Sequence, residues 1–384
     1  MEKIYYLDNA ATTKPFKKII DFYDECAEDF YNPSASYKSA IVVRKKLENA
    51  RQEMLNILGG KNGKFIFTSS ATESNNMVFQ GVHLRKGQTV LVSKAEHPAV
   101  YEAAHRLADF GIIVKDIPLN ENGQVDELEF VKLMNKDVAL VSIIHVSNET
   151  GVINDIKKLC SIAKDINPKV IFHSDGVQAF GKIKVNLSNM NNDLYTVSGH
   201  KIYAPRGIAG LWIKNGVNIN PLIVGGGQEF GLRSSTENVF GALAMLYSSK
   251  KLIAEIEQNY AKVIQKRKNL LNILEKSEIS CAFSLNSFEN GSPYILSISF
   301  KDIKGEVLVH SLEDDGILIS TGSACSSKKA GNRMLESMGK SMNDVVGSIR
   351  ISFSAYDDFD EKYVADSIIK NVLRFRKNLK NTKV

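Results

Sequence analysis

Ser198-Gly199-His200-Lys201, continued by Ile202-Tyr203-Ala204-Pro205-Arg206-Gly207, lies between two short apolar runs. Leu194 to Val197 leads in and Ile208 to Ile213 leads out, a pattern that predicts strand, tight turn, strand. A lysine fixed between two strands, with a serine and a histidine beside it, suits chemistry that needs an immobile amine. The competing reading is a surface turn with a solvated lysine, the usual fate of that side chain. The sequence on either side has to choose between them.

Upstream, one beat recurs. Ser34 to Leu58 carries apolar residues at Val43, Leu47, Ala50, Met54 and Leu58, a helical period that stops at Gly59-Gly60. Strands are then expected at Lys64 to Thr68, Thr89 to Ser93, Ile112 to Ile117, Ala139 to Ile144 and Val170 to Ser174. Helices are expected at Thr72 to Val82, Pro98 to Phe110 and Ile156 to Ile166. Continuous apolar strands alternating with helices predict a parallel sheet covered on both faces, an α/β architecture. Ligands of such sheets sit outside the carboxyl ends of the strands, so polar clusters should follow the strands. They do.

Ser69-Ser70-Ala71-Thr72-Glu73-Ser74-Asn75-Asn76 follows the first of these strands and opens a helix. Its free N–H groups and the helix dipole suit a phosphate, to which the Thr72 hydroxyl can add a bond; a plain N-cap is the alternative. Glu96-His97-Pro98 puts an imidazole at the start of the next helix. His145-Val146-Ser147-Asn148-Glu149-Thr150-Gly151 and His173-Ser174-Asp175-Gly176-Val177-Gln178 follow later strands. Clusters at successive strand ends, ahead of Lys201, favour the fixed amine. The expected task is a Schiff base that holds pyridoxal phosphate, with Ser198 and His200 hydrogen-bonding the phosphate. A carboxylate opposite the pyridine nitrogen keeps that ring an electron sink, the role expected of Asp175, although an aspartate there also suits a helix cap. Gln178 and Asn148 are then expected on the ring's phenolic oxygen, with Asn148 also reaching the substrate.

At the N-terminal side, Tyr5-Tyr6-Leu7-Asp8-Asn9-Ala10-Ala11-Thr12-Thr13 reads as a short strand running into small residues, where backbone can come close to a ligand or a neighbouring subunit. Beyond Lys201, Gly225-Gly226-Gly227-Gln228-Glu229 precedes Leu232-Arg233-Ser234-Ser235-Thr236-Glu237-Asn238 and a long helix from about Glu237 to Leu274, along which a domain boundary is expected. The remaining third reads as a small α+β unit, with strands at Ile295 to Phe300, Ile317 to Ile319 and Ser348 to Phe353 and helices at Glu306 to Glu313 and from Asp360 onward. Between two of its elements runs Ser320-Thr321-Gly322-Ser323-Ala324-Cys325-Ser326-Ser327-Lys328-Lys329-Ala330-Gly331-Asn332, which has nothing to build a core with. A thiol there, beside two lysines, is expected to be reactive, with a lowered pKa. Arg350 alternates with Ile349 and Ile351 in a strand; its fork suits a substrate carboxylate, a structural ion pair being the alternative.

The chain's 384 residues suit one large domain and one smaller one, and its net charge of +6 is modest for that length. Dispersed surface lysines account for the charge, and no direct nucleic-acid contact is expected. The four cysteines, Cys26, Cys160, Cys281 and Cys325, form no Cys-x-x-Cys pair, which argues against a metal site or a disulfide framework and for a reducing cytoplasm. No apolar run approaches the roughly 18 residues of a membrane span. Met1-Glu2-Lys3-Ile4 opens no apolar signal core, so no signal peptide is expected.

These motifs together resemble the cysteine desulfurases of the NifS/IscS type, in the class V aminotransferase group of fold-type I pyridoxal-phosphate enzymes. The matching stretches are Leu7 to Thr13, Asn32-Pro33-Ser34, Ala71 to Asn76, Glu96-His97, Asn148 to Gly151, Asp175 to Gln178 and Ser198 to Lys201. Gly225 to Glu229, Arg233 with Thr236-Glu237-Asn238, Gly322 to Cys325 and Ser348-Ile349-Arg350 complete them, in the family's order over nearly the whole chain. The resemblance implies a large domain, residues 15–257, with a mostly parallel seven-stranded sheet covered by helices, and a small α+β domain from residues 1–14 and 258–384. It implies that Lys201 is the cofactor lysine, Cys325 the nucleophile that takes sulfur, and His97 the histidine that stacks on the ring and moves protons. Ala71, Thr72, Ser198 and His200 are implied at the cofactor, joined by Thr236 from the partner subunit of a homodimer; Asn148 and Arg350 are implied at the substrate carboxylate. Ser235 stands where many relatives have glycine.

The activity expected from this resemblance is removal of sulfur from L-cysteine, giving alanine and a persulfide on Cys325 that passes to a sulfur-acceptor protein in iron–sulfur cluster assembly or tRNA thiolation. A selenocysteine lyase or another class V enzyme is the nearest rival, and an aminotransferase has no use for Cys325. A catalytically silent sulfur-transfer scaffold is the rival from another class, against which Lys201, Asp175, His97 and Cys325 together speak.

Overall fold

The computed structural model describes residues 3–21, 23–321 and 332–381. Its strands are β1 (Tyr5–Tyr6), β2 (Gly63–Thr68), β3 (Thr89–Ser93), β4 (Ile113–Ile117), β5 (Val138–Ser142), β6 (Ile171–Asp175), β7 (Leu194–Ser198), β8 (Ala209–Lys214), β9 (Phe283–Leu285), β10 (Ile295–Phe300), β11 (Ile317–Leu318) and β12 (Ser348–Ser352). Seven of them form one sheet in the order β2-β8-β7-β6-β5-β3-β4. The neighbours β4, β3, β5, β6 and β7 run parallel, and β8 runs against both β7 and β2.

The period-two geometry of a strand explains why these segments are apolar throughout. Phe65, Phe67, Leu91, Val141, Phe172, Tyr195 and Trp212 pack into one core, while Ile66, Val90, Val92, Leu140, Leu194, Leu211 and Ile213 pack into another. Alternate residues thus face opposite sides, and both sides are covered by helices. The architecture is an α/β fold with a mostly parallel seven-stranded sheet covered by helices, as expected. A second, antiparallel sheet has the order β12-β10-β9, and β1 pairs in parallel with β11. Tyr5 and Leu7 share a core with Val263, Leu270, Leu296, Ile349 and Ile368. Met334, Leu335, Met338 and Val345 pack instead into the core of the large sheet.

Helix boundaries differ from the sequence expectation where distant contacts set them. The single long helix expected from Glu237 to Leu274 is two, Val239–Ala254 and Ile256–Glu275, parted at Glu255 with φ −107° and ψ 8°. The Glu255 carboxylate accepts from Lys251 Nζ and from Tyr356 Oη, each at 2.7 Å, which ties the break to the segment after β12. The helix expected to run to Phe110 ends at His105 and tightens into a 3₁₀ turn, Arg106–Phe110, closed by Gly111 at φ 80°. Among the described residues no helix is long and apolar enough to cross a membrane.

Candidate active site

β2, β3, β5, β6 and β7 each deliver a polar cluster to the same end of the sheet. After β2, Ser70 caps the helix Ala71–Gly81, its Oγ accepting the Glu73 N–H at 3.1 Å. After β3, His97 caps the helix Pro98–His105, its Nδ1 accepting the Ala99 N–H at 3.1 Å. The segment after β5 brings Ile144, Asn148 and Glu149; β6 ends on Asp175; β7 runs into the 3₁₀ turn Gly199–Lys201. With Ala10, Ala11 and Arg350 these residues line a cavity of about 270 Å³.

Of the residues named from sequence, Ala71, Thr72, His97, Asn148, Asp175, Gln178, His200, Lys201 and Arg350 all line this cavity. Ser198 does not. It is buried, and its Oγ has no hydrogen-bond partner among the described residues. Thr236 is exposed and lies outside the lining residues of this chain. Cys325 lies outside the described residues. Ser235 adopts φ 155°, a value glycine takes more readily than serine.

Lys201 Nζ donates to the carbonyls of Ala10 at 2.6 Å and Ala11 at 2.5 Å, a close approach that the small side chains of this segment allow. Asp175 is held from two sides: Asn75 Nδ2 donates to Oδ2 and the Val177 N–H to Oδ1, both at 2.9 Å. Each carboxylate oxygen keeps a further lone pair for a donor in the cavity. Gly176 is required here, because a Cβ would lie 2.0 Å from Tyr195 Cζ. Gln178 Nε2 donates to the Ala10 carbonyl at 2.9 Å. Arg350 donates to Asp8 Oδ1 at 2.8 Å and to the Asn148 carbonyl at 2.9 Å, while its buried Nε has no hydrogen-bond partner among the described residues.

Burial governs the charge states. It lowers the His97 pKa, with the Lys201, Arg333 and Arg350 charges pushing the same way against Asp175. A neutral His97 whose Nδ1 accepts a backbone N–H carries its proton on Nε2. Burial, reinforced by Lys201, brings His200 down to about 4, and its Nδ1 lies 3.2 Å from Thr12 Oγ1. Burial also pushes the Glu149 carboxyl up to about 7 and raises Glu96 well above the usual carboxylate range.

Three features fit pyridoxal phosphate. A capped helix N-terminus at Ala71 and Thr72 faces the cavity and suits its phosphate. The Ser198 hydroxyl, at the end of the strand that leads into Lys201 and two residues before the lining residue His200, is a buried polar group with no hydrogen-bond partner among the described residues. A braced carboxylate and an amine, Asp175 and Lys201, line one cavity. Two contributors escaped the sequence reading of roles. Asn75 stands three residues after Thr72, on the same helix face, a spacing that could have flagged it. Lys182 is buried, and its Nζ donates to Gln178 Oε1 at 2.5 Å; its signal is the four-residue spacing from Gln178.

Residues 5–362 match the family model described as Aminotransferase class-V. The chain is 34% identical over 382 residues to Cysteine desulfurase IscS of Dictyoglomus turgidum, covering 98% of this chain and 96% of that protein. A solved structure of a NifS-like protein superposes with a TM-score of 0.88 at 31% identity, covering 98% of this chain and all 100% of that one. A structure of SspA in complex with cysteine superposes with a TM-score of 0.79 at 26% identity, over 92% of this chain and 99% of that one. The chain therefore belongs to the class V aminotransferase family, within its pyridoxal-phosphate-dependent group of IscS/NifS-type cysteine desulfurases.

Proposed function

We propose that this protein is a cysteine desulfurase that takes sulfur from L-cysteine onto Cys325 and releases L-alanine. The observation that carries the reading is the convergence of Lys201, Asp175, His97, Gln178 and Arg350 on one cavity. The desulfurase names of the relatives and a structural neighbour holding cysteine support it. Lys201, Asp175, Gln178, Asn148, His97, His200, Ser198, Ala71 and Thr72 hold the cofactor, with Thr236 reaching the phosphate site of the partner subunit in a homodimer. Pyridoxal phosphate, when bound, supplies an electrophilic ring that takes up the electron pair left by the substrate's α-proton.

The chain's own groups do the rest. Arg350 presents its buried Nε–H edge to the substrate carboxylate, beside Asn148. Lys201 Nζ accepts the α-proton, and Asp175 holds the positive charge that makes its removal possible. His97 Nε2–H faces the reacting groups as a proton donor and regains the proton from the thiol. The Cys325 thiolate attacks the substrate sulfur. A sulfur–sulfur bond forms as the Cβ–S bond breaks; the carbon keeps that electron pair, gains a proton and becomes the methyl group of alanine. Cysteine and the Cys325 thiol thus give alanine and a Cys325 persulfide with no outside oxidant. The persulfide sulfur passes to an acceptor protein of iron–sulfur cluster assembly or tRNA thiolation, in the cytoplasm. The large domain spans residues 15–257 and the small one residues 1–14 and 258–384.

The test is the Cys325→Ser variant with L-cysteine. It should bind substrate, shown by a change in its visible spectrum, yet form no persulfide and almost no alanine. Wild-type protein should gain ~32 Da on the Cys325 peptide, removable by a thiol reductant. Alanine production at the wild-type rate by Cys325→Ser, or the added sulfur on Cys26, Cys160 or Cys281, sinks the reading.

A further inference from the structure

Lys182 is a buried lysine that the proposed chemistry does not use. It follows Gly181, whose φ is 74°. Its Nζ donates to Gln178 Oε1, and its other close neighbour is the Tyr294 ring, 6.0 Å to the centroid. No carboxylate pairs with it among the described residues. Burial, then the Lys201 and Arg350 charges, bring its pKa down to about 7. An amine in that range donates an N–H in either protonation state, so it needs no counter-ion to do its work.

The Gln178 amide has two ends, and rotation by half a turn exchanges donor for acceptor. Here Oε1 receives Lys182, and Nε2 donates to the Ala10 carbonyl, the same carbonyl that receives Lys201 Nζ at 2.6 Å. The reversed amide sets Oε1 against the Ala10 oxygen in either protonation state of Lys182, and Nε2 against its N–H donors when the amine is charged, buried like-with-like contacts. Each leaves polar groups unsatisfied. Resting on the desulfurase reading above, we propose that Lys182 is a positioning residue that locks the Gln178 amide with its NH₂ end toward Ala10 and the cofactor cavity. Lys182, Gln178, Ala10 and Lys201 then form one hydrogen-bonded chain, and Lys182 acts at the ring only through Gln178.

The experiment is a cycle of Lys182→Met, Gln178→Ala and the double variant, each as the full-length holoenzyme. Three quantities are measured: the visible absorption maximum of the bound cofactor, the half-time of its loss on dilution, and the urea midpoint. Methionine fills the lysine's volume and removes a buried amine that no carboxylate balances, which offsets the cost of the acceptor left unpaired on Gln178, so the urea midpoint should change little. The absorption maximum should shift and the cofactor leave roughly 10- to 100-fold faster, the ratio expected for a lost buried hydrogen bond. The double variant should behave like Gln178→Ala alone, because the second change removes a partner already lost. A wild-type spectrum and half-time in Lys182→Met, or effects that add in the double variant, overturn the proposal while leaving the desulfurase reading intact. A wild-type chain that binds no pyridoxal phosphate overturns that reading first.

Discussion

The wall of the cavity built from β6 and the turn after it differs from the wall built by β12 and the residues after β5 in how its polar groups are used. On the first, Asp175 is bonded by Asn75 and Val177, Gln178 by Ala10 and Lys182, and His173 by Ser142 and Thr196. On the second, two atoms of ionisable lining groups, Arg350 Nε and Glu149 Oε2, are buried with no hydrogen-bond partner among the described residues, whereas the unpaired atoms on the first are the neutral Ser174 Oγ and Asn75 Oδ1. A buried polar group left unpaired costs roughly 1–3 kcal/mol. Ionisable groups are the costlier ones to leave so, which makes the braced wall the expected fixed support and the open wall the expected place for a ligand that comes and goes.

Replacing the groups that meet the cofactor should have the largest consequences. Lys201→Ala should lower alanine release by at least ~10³-fold and leave the cofactor loosely held, as expected for loss of a nucleophile and its proton-transfer role together. Turnover within tenfold of wild type would remove Lys201 from the mechanism. Asp175→Asn comes next, with a loss of ~10²-fold or more in kcat and the cofactor retained. The braced wall can accept this change. Asn75 Oδ1 has no hydrogen-bond partner among the described residues, so a rotated Asn75 amide can receive the new NH₂ group of residue 175. Near-normal turnover in this variant would reduce Asp175 to a turn-capping residue.

On the open wall the effect should fall on substrate binding. Arg350→Lys keeps the charge but loses the planar fork, and KM for L-cysteine should rise about tenfold with kcat changed much less. If stability falls and KM does not move, the Asp8–Arg350 pair is a structural ion pair and the open wall has been misassigned.

How much of this was legible in the sequence follows the same division. Strand order aside, the braced wall could be read locally: apolar strands announce themselves, and Glu96-His97, Asp175-Gly176-Val177-Gln178 and Ser198 to Lys201 each follow one. What could not be read was pairing between distant segments. Nothing near Arg350 indicates that Asp8, 342 residues away, shares its guanidinium. The break at Glu255 depends on Tyr356, 101 residues on, and so lay hidden inside an unbroken helical period. Lys182 was missed for a different reason. Its four-residue spacing from Gln178 spans Gly181 in the left-handed region, and that glycine spoils the helical signal that makes such a spacing noticeable.

The smallest expected effect concerns acid stability, and it gives the two walls opposite signs. On the braced wall, burial holds His173 down at about 3 against an ordinary 6.5. Below about pH 6.5 the unfolded chain takes up a proton that the folded His173 refuses, so stability falls as pH falls, by ~1.4 kcal/mol per pH unit. Glu149, raised to about 7 from 4.5, works the other way: folded protein binds a proton that the unfolded chain releases, and stability rises as pH falls from about 7 to 4.5. His173→Asn should therefore flatten the acid limb, with the loss between about pH 6.5 and 5 smaller by ~2 kcal/mol than in wild type. Glu149→Gln should steepen it. Urea titrations of each holoenzyme at the two pH values measure both slopes. Losing the Ser142 and Thr196 bonds lowers His173→Asn at every pH, so the slope, rather than the midpoint, reports the titration. Parallel slopes for wild type and His173→Asn would mean that the braced wall already admits protons, and a shallower limb in Glu149→Gln would mean that the open wall is not held neutral by burial.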